Sequence, residues 1–170
     1  AEKIAEWSAI NQQHPSLKHA ALVGEGLKSA IQRAGDGIAQ NRCCNGWAHG
    51  HCTSNVFALA PDGTIVVAVL NFPGSMHDSD FAGLGEPPIC GKIGKLHDEA
   101  GCQCVMDSAF AARSRPSIIK SLASDNIVFQ ANSPEDLQAL KDAKPARQGA
   151  EWGMRALQGS FPRLKAVFPR

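Results

Sequence analysis

Apolar and polar residues follow different rhythms in different parts of the chain, and each rhythm predicts an element. "AEKIAEWSAI" at 1–10 reads as a short helix. "HPSLKHAALVGEG" leads into a brief apolar run, Ala20 to Val23, that closes on Gly-Glu-Gly. Residues 53–60, "TSNVFALA", read as a strand, and "PDGT" at 61–64 places Pro and Gly where a tight turn wants them. Residues 65–71, "IVVAVLN", are β-branched and almost wholly apolar, which predicts a buried strand. The two strands and their turn make a hairpin.

After "PGSMHDSDF" the chain is rich in Gly and Pro to about residue 91. "CGKIGKLHDEAG" at 90–101 is expected to be helical, and "CQCVMD" at 102–107 a short buried strand ending in an acid. "SPEDLQALKDAK" opens with a Ser-Pro helix start and acids in the first turn. "ARQGAEWGMRALQGSF" carries the clearest helical period. Ala150, Met154, Leu157 and Phe161 form an apolar stripe, and Gln148, Glu151, Arg155 and Gln158 a polar one. The order predicts an α/β fold, a mixed sheet with flanking helices, as a single domain over 1–170. There is no internal repeat and no low-complexity tract.

Composition narrows the class. A hydrophobic fraction of 44% and a charged fraction of 19% over 170 residues fit a globular chain with a sizeable core. No apolar stretch approaches the ~20 residues of a membrane span, so no membrane partner is expected. The N-terminus lacks an apolar signal region, which predicts a protein that is not secreted, and it lacks Met, which predicts a fragment or a processed product. The formal charge of +1 is unevenly spread. Residues 1–112 carry 7 basic and 11 acidic side chains (net −4), and residues 113–170 carry 10 and 5 (net +5). A basic C-terminal third can meet phosphates, or can be ordinary surface variation.

Six cysteines without a signal peptide are expected to be reduced thiols. "CCNGWAHGHC" holds Cys43, Cys44, His49, His51 and Cys52 and raises the idea of a zinc-binding interaction module. Its spacing argues the other way, because Cys43 and Cys44 are adjacent and no C-x-x-C occurs.

Three acids stand at punctuation points. Glu25 is flanked by Gly24 and Gly26, which permit close backbone approach, although a solvated acid in a Gly turn would look the same. Asp107 ends the strand "CQCVMD", where ligands bind and where helix caps also sit. Glu151 lies on the polar stripe of the last helix, where an i, i+4 pair with Arg155 would contribute only ~0.3–0.5 kcal/mol. Taken together, two carboxylates from strands and one from a later helix can converge on two divalent cations. Phosphodiester chemistry uses that geometry. Hard oxygen ligands suit Mg²⁺ or Mn²⁺.

At these residues a resemblance enters. "LNFPGSMHDSDF", "CVMDSAF" and "AEWGMRALQGSFPRLK" resemble the Harbinger-type DDE transposases, the DDE superfamily endonucleases. "NGWAHGHCTSNVFALAPDGTI" is similar to the segment before their PGS-x-HDS motif, and "HPSLKHAALVGEGL" to the stretch around their first catalytic acid. The resemblance covers about residues 7 to 165. It implies a ribonuclease H-like fold, a D-D-E site with two Mg²⁺ or Mn²⁺, DNA as substrate and the nucleus as location. It also implies a DNA-binding region lying upstream or on a separate partner protein, and it leaves homo-oligomers open.

By this resemblance Asp107 is the second acid and Glu151 the third. The first falls on Glu25, where the family has Asp before Gly. Glu is one methylene longer, and misplacement by about 1 Å can cost on the order of 10²-fold in rate. Cys43-Cys44 stands where relatives commonly carry aromatic residues, and the chain has no Tyr. A domesticated or decayed copy that binds DNA or a partner without cutting is therefore the alternative. "DGT" at 62–64 mimics the family's first-acid motif, but Asp62 is expected at an exposed hairpin tip. Asp78 recurs in the family motif without being a ligand, so a cap by Ser75, Asp78 or Ser79 near the site is expected. His77 can contact phosphate or water, or be an ordinary hydrogen-bonded loop histidine.

Overall fold

A computed structural model describes residues 9–33, 35–77, 80, 89–110, 116–121 and 132–161. In chain order the elements are α1 (Ala9–Gln13), β1 (Ala20–Ala30), α2 (Gly37–Cys43), β2 (Cys44–Asn45), β3 (Gly50–Leu59) and β4 (Ile65–Pro73). They continue with α3 (Ile89–Ala100), β5 (Gln103–Asp107), a 3₁₀ turn (Ser108–Phe110), β6 (Ile118–Ser121) and α4 (Pro134–Ser160). The result is an α/β domain with a mixed sheet. Its order is β2-β3-β1-β5-β6, and β4 also pairs with β3. β1–β3 and β3–β4 are antiparallel, whereas β1–β5 and β5–β6 are parallel.

Alternation along the strands explains the layering. In β5, Cys104 and Met106 point to one face and Val105 to the other. The first face packs against α3 through Ile89, Cys90 and Ile93. The second packs against α1 and α4 through Ile10, Ala143, Ala146, Ala150 and Met154. Small residues on α4 let its backbone lie close on the sheet. A Cβ on Gly153 would come 2.4 Å from Leu59 Cδ1.

Several expectations hold. The hairpin forms with residues 61–64 as its exposed tip, and Asp62 Oδ1 accepts from Thr64 N at 2.8 Å. The helix at 90–101 and the strand ending at Asp107 are present. Of the predicted helix at 1–10 only Ala9 and Ile10 are described, inside α1. Asp78 and Ser79 lie outside the described residues, so the cap expected from them does too.

Three expectations are corrected. β4 is not a buried strand. Among the described strands it pairs only with β3, and Ile65, Val66 and Leu70 are 43%, 44% and 52% exposed. Val67 is its one fully buried residue, with Val69 and Phe72 half-buried on the same cluster and Ala68 on the other, so composition alone misread an edge strand as a central one. Gly-Glu-Gly is not the turn that was the alternative for Glu25: β1 continues through it to Ala30, carried by pairing with β3, so Glu25 stands on a strand. Finally, the two helical segments after Ser133 form one helix of 27 residues. Pro145 sits inside it and is exposed, so the missing N–H bond falls on the solvent side. Ser133 caps the start, its side chain accepting from Asp136 N at 3.0 Å.

Candidate active site

β1 and β5 run parallel with Val23 opposite Val105. Two residues further along each strand stand Glu25 and Asp107 (25 − 23 = 107 − 105 = 2), so the register carries the two acids side by side at the carboxyl end of β5. From Val23 onward in β1, and in β5, odd-numbered residues face α4, as Val23, Leu27 and Val105 do. α4 crosses that face and brings Glu151 and Arg147 to it, one turn apart.

Arg147 is the hub. Its Nη1 donates to Glu25 Oε2 at 2.5 Å and its Nη2 to Glu151 Oε1 at 3.1 Å. The Arg147 and Glu25 side chains are only 23% and 20% exposed, whereas Glu151 is 41% exposed. Arg147 Nε is buried and without a hydrogen-bond partner among the described residues. Asp107 Oδ1 accepts from Ser108 N at 2.6 Å and from Ser108 Oγ at 3.3 Å. Burial pushes the Glu25 carboxyl above its ordinary value. Arg147 and the Gly26 N–H pull it down, Asp107 adds repulsion, and the net is upward.

The pairing of Glu151 differs from the sequence-based alternative. Its partner is Arg147, four residues before it, rather than Arg155, which is exposed. Arg147 was missed by sequence reasoning. The available signal was an Arg at i−4 from a candidate acid on a helix.

The donor chemistry suits a hard divalent cation, since Glu25, Asp107 and Glu151 offer only carboxylate oxygens. In this conformation, however, two of the three are engaged by a guanidinium. Among the described residues no group of three or more His, Cys, Asp or Glu side chains is placed to hold a metal ion. That statement covers the 43–52 cluster too, where Cys44 pairs across β2–β3 with His51 while Cys52 is buried.

Beside Asp107 a pocket of about 320 Å³ opens, lined also by Lys28, Trp47 and the Ser75–Met76–His77 turn. The PGS segment builds that turn: Met76 N donates to Pro73 O at 3.1 Å and Ser75 N to Arg42 O at 3.0 Å. No helix among the described residues is long and apolar enough to cross a membrane. Comparison with protein-family models, with curated proteins and with solved structures finds no match for this chain.

Proposed function

We propose that this chain is the catalytic domain of a DDE-type endonuclease or transposase that cleaves and joins DNA phosphodiesters in the nucleus. One observation carries the reading. Glu25 and Asp107 come side by side on neighbouring parallel strands, and Glu151 joins Glu25 from α4 through a shared arginine. The strand order supports a ribonuclease H-like fold. Leaving aside the two-residue β2, it is β4-β3-β1-β5-β6, with three antiparallel strands followed by two parallel to β1.

In this reading Glu25, Asp107 and Glu151, once freed from Arg147, would hold Mg²⁺ or Mn²⁺, which would supply the positive charge that favours attack by a water or a DNA 3′-hydroxyl and departure of the leaving oxygen. The chain's own residues set the conditions. The sheet register fixes the spacing of Glu25 and Asp107, and Ser108 orients the Asp107 carboxylate. Arg147 must release both glutamates before they can serve as ligands. Its freed guanidinium is then suited to a phosphate oxygen. Choice of DNA target belongs to a separate DNA-binding region or partner.

The test is plasmid nicking with Mg²⁺ or Mn²⁺ by wild type, Glu25→Asp and Glu25→Asp/Asp107→Asn. We expect metal-dependent nicking that rises in Glu25→Asp, because the shorter arm brings the charge to where Asp107 and Glu151 can share a cation. Adding Asp107→Asn should abolish it. Activity that survives Asp107→Asn would sink the assignment. A second reading is favoured by the Arg147 bridge itself: a domesticated derivative whose acids are neutralised by an internal cation and which binds DNA without cutting. DNA binding without nicking in any variant supports it.

A further inference from the structure

The pocket beside Asp107 is built with more care than an incidental surface hollow. Trp47 sits in the turn joining β2 to β3 and is 84% exposed. A lone exposed indole is unremarkable on its own. Here its turn is anchored from inside. Asn45 is buried, its Oδ1 accepts from Ala48 N at 2.8 Å, and its Nδ2 donates to Gly74 O at 2.5 Å. His49 closes the turn with φ +47, a left-handed conformation that costs a non-glycine residue.

Gly74 makes the other half of the anchor. A Cβ there would come 2.2 Å from Cys52 O and 2.8 Å from Cys43 O. Only glycine lets the Pro73–Ser75 turn seat against β3 and the end of α2, where Gly74 O can receive Asn45. The Trp47 turn and the Ser75–His77 turn are thus one rigid unit. It holds an aromatic face in water beside Asp107, in a pocket that Lys28 also lines.

We propose that this pocket binds one unpaired nucleotide of a single-stranded DNA segment, its base stacked on Trp47 and its phosphate facing Lys28. The inference rests on the reading of Asp107 as part of a phosphodiester site. Three features select this ligand. A stacking face plus a cation is the combination that holds single-stranded nucleic acid. A duplex keeps its bases stacked on each other, so only an end, gap or extruded base can offer a free face. The volume of about 320 Å³ lies at the small end of ligand pockets and admits one nucleotide, not a helix.

The experiment measures anisotropy of a fluorescein-labelled oligothymidine and of a blunt duplex of equal length. It is run in EDTA so that nothing is cut, with fold checked by circular dichroism. Trp47→Ala should weaken single-strand binding about 5- to 150-fold, equivalent to about 1–3 kcal/mol of base stacking. Trp47→Phe should retain most of it, and the blunt duplex should change little. Lys28→Gln should lower the slope of log affinity against log salt by about 0.7, one phosphate contact on a single strand. Trp47→Ala binding the single strand as tightly as wild type would overturn the proposal. So would equal losses for single strand and duplex. Because no metal is present, this outcome is separable from the nicking assay. Nicking with Trp47-independent binding removes the pocket assignment alone, and Trp47-dependent binding without nicking removes the catalytic reading alone.

Discussion

Replacing Arg147 with Met tests whether a guanidinium stands in the place of a metal. Met keeps most of the aliphatic bulk and removes the charge. The link to Glu25 is 2.5 Å long between side chains 23% and 20% exposed. A charge-assisted hydrogen bond in such a setting contributes about 1.5–3 kcal/mol. The link to Glu151 is an i, i+4 pair with a partner 41% exposed, so it adds only about 0.3–0.5 kcal/mol. The expected loss is about 2–3 kcal/mol, near the upper end because Glu25 then faces Asp107 and Glu151 with no intervening cation. For a domain of 170 residues that lowers Tm by roughly 4–12 °C. Divalent metal should then reverse the loss. At a free concentration of about 100 Kd, linkage returns about 2.7 kcal/mol. Wild type should gain less, since the cation must first displace Arg147. The assay is thermal unfolding by circular dichroism in EDTA and over a Mn²⁺ series at fixed ionic strength. An unchanged Tm in EDTA would show that Arg147 holds nothing together. Equal stabilisation of both proteins by Mn²⁺ would show that metal and guanidinium do not compete for the same carboxylates.

Two further predictions follow from local geometry. Glu25 has a raised value in the folded protein, so the folded state holds that proton more tightly than the unfolded chain does. Its contribution to stability is therefore present below the ordinary carboxylate range and is lost as pH rises through the folded value. The stability of wild type relative to Glu25→Gln should improve as pH falls from 7 towards about 4, read by thermal unfolding, and the opposite trend would show that Arg147 outweighs burial. Gly74→Ala should cost about 1–3 kcal/mol or more in urea unfolding, because the atoms its Cβ would meet are backbone carbonyls of a packed sheet and a helix end. Gly46→Ala, whose Cβ would meet nothing within 4 Å, is the control, and equal stabilities would refute the packing argument.

Much of the fold is legible in the sequence where one signal dominates. The hairpin is written in β-branched runs around "PDGT", and the start of α4 in Ser133-Pro134 with acids in the first turn. The reading fails where tertiary context decides. Ile65, Val66 and Leu70 look like a buried strand because composition carries no information about how many neighbours a strand has. Gly24-Glu25-Gly26 reads equally well as a glycine turn, yet the backbone passes straight through it as strand. A Cβ on Gly24 would come 2.7 Å from Met106 Cε, so the glycine is spent on packing against β5 rather than on a turn.

The candidate site divides in the same way. That Glu25 and Asp107 end up adjacent is a consequence of strand register, and register is set by which apolar residues share a face, Val23 with Val105 above all. Spacing in sequence could therefore suggest the pair but could not align it. Arg147 was invisible for a different reason. On the helix its position reads as one more polar residue beside Ala146 and Ala150, which turn to the core. Only when α4 is laid across β1 does that position meet Glu25, 122 residues away in sequence. The same crossing that brings Glu151 beside Glu25 delivers the arginine that engages both, so the approach of the two glutamates and the contact that ties them up have one structural cause. Separating them requires changing Arg147 alone, because any change that moves α4 alters both.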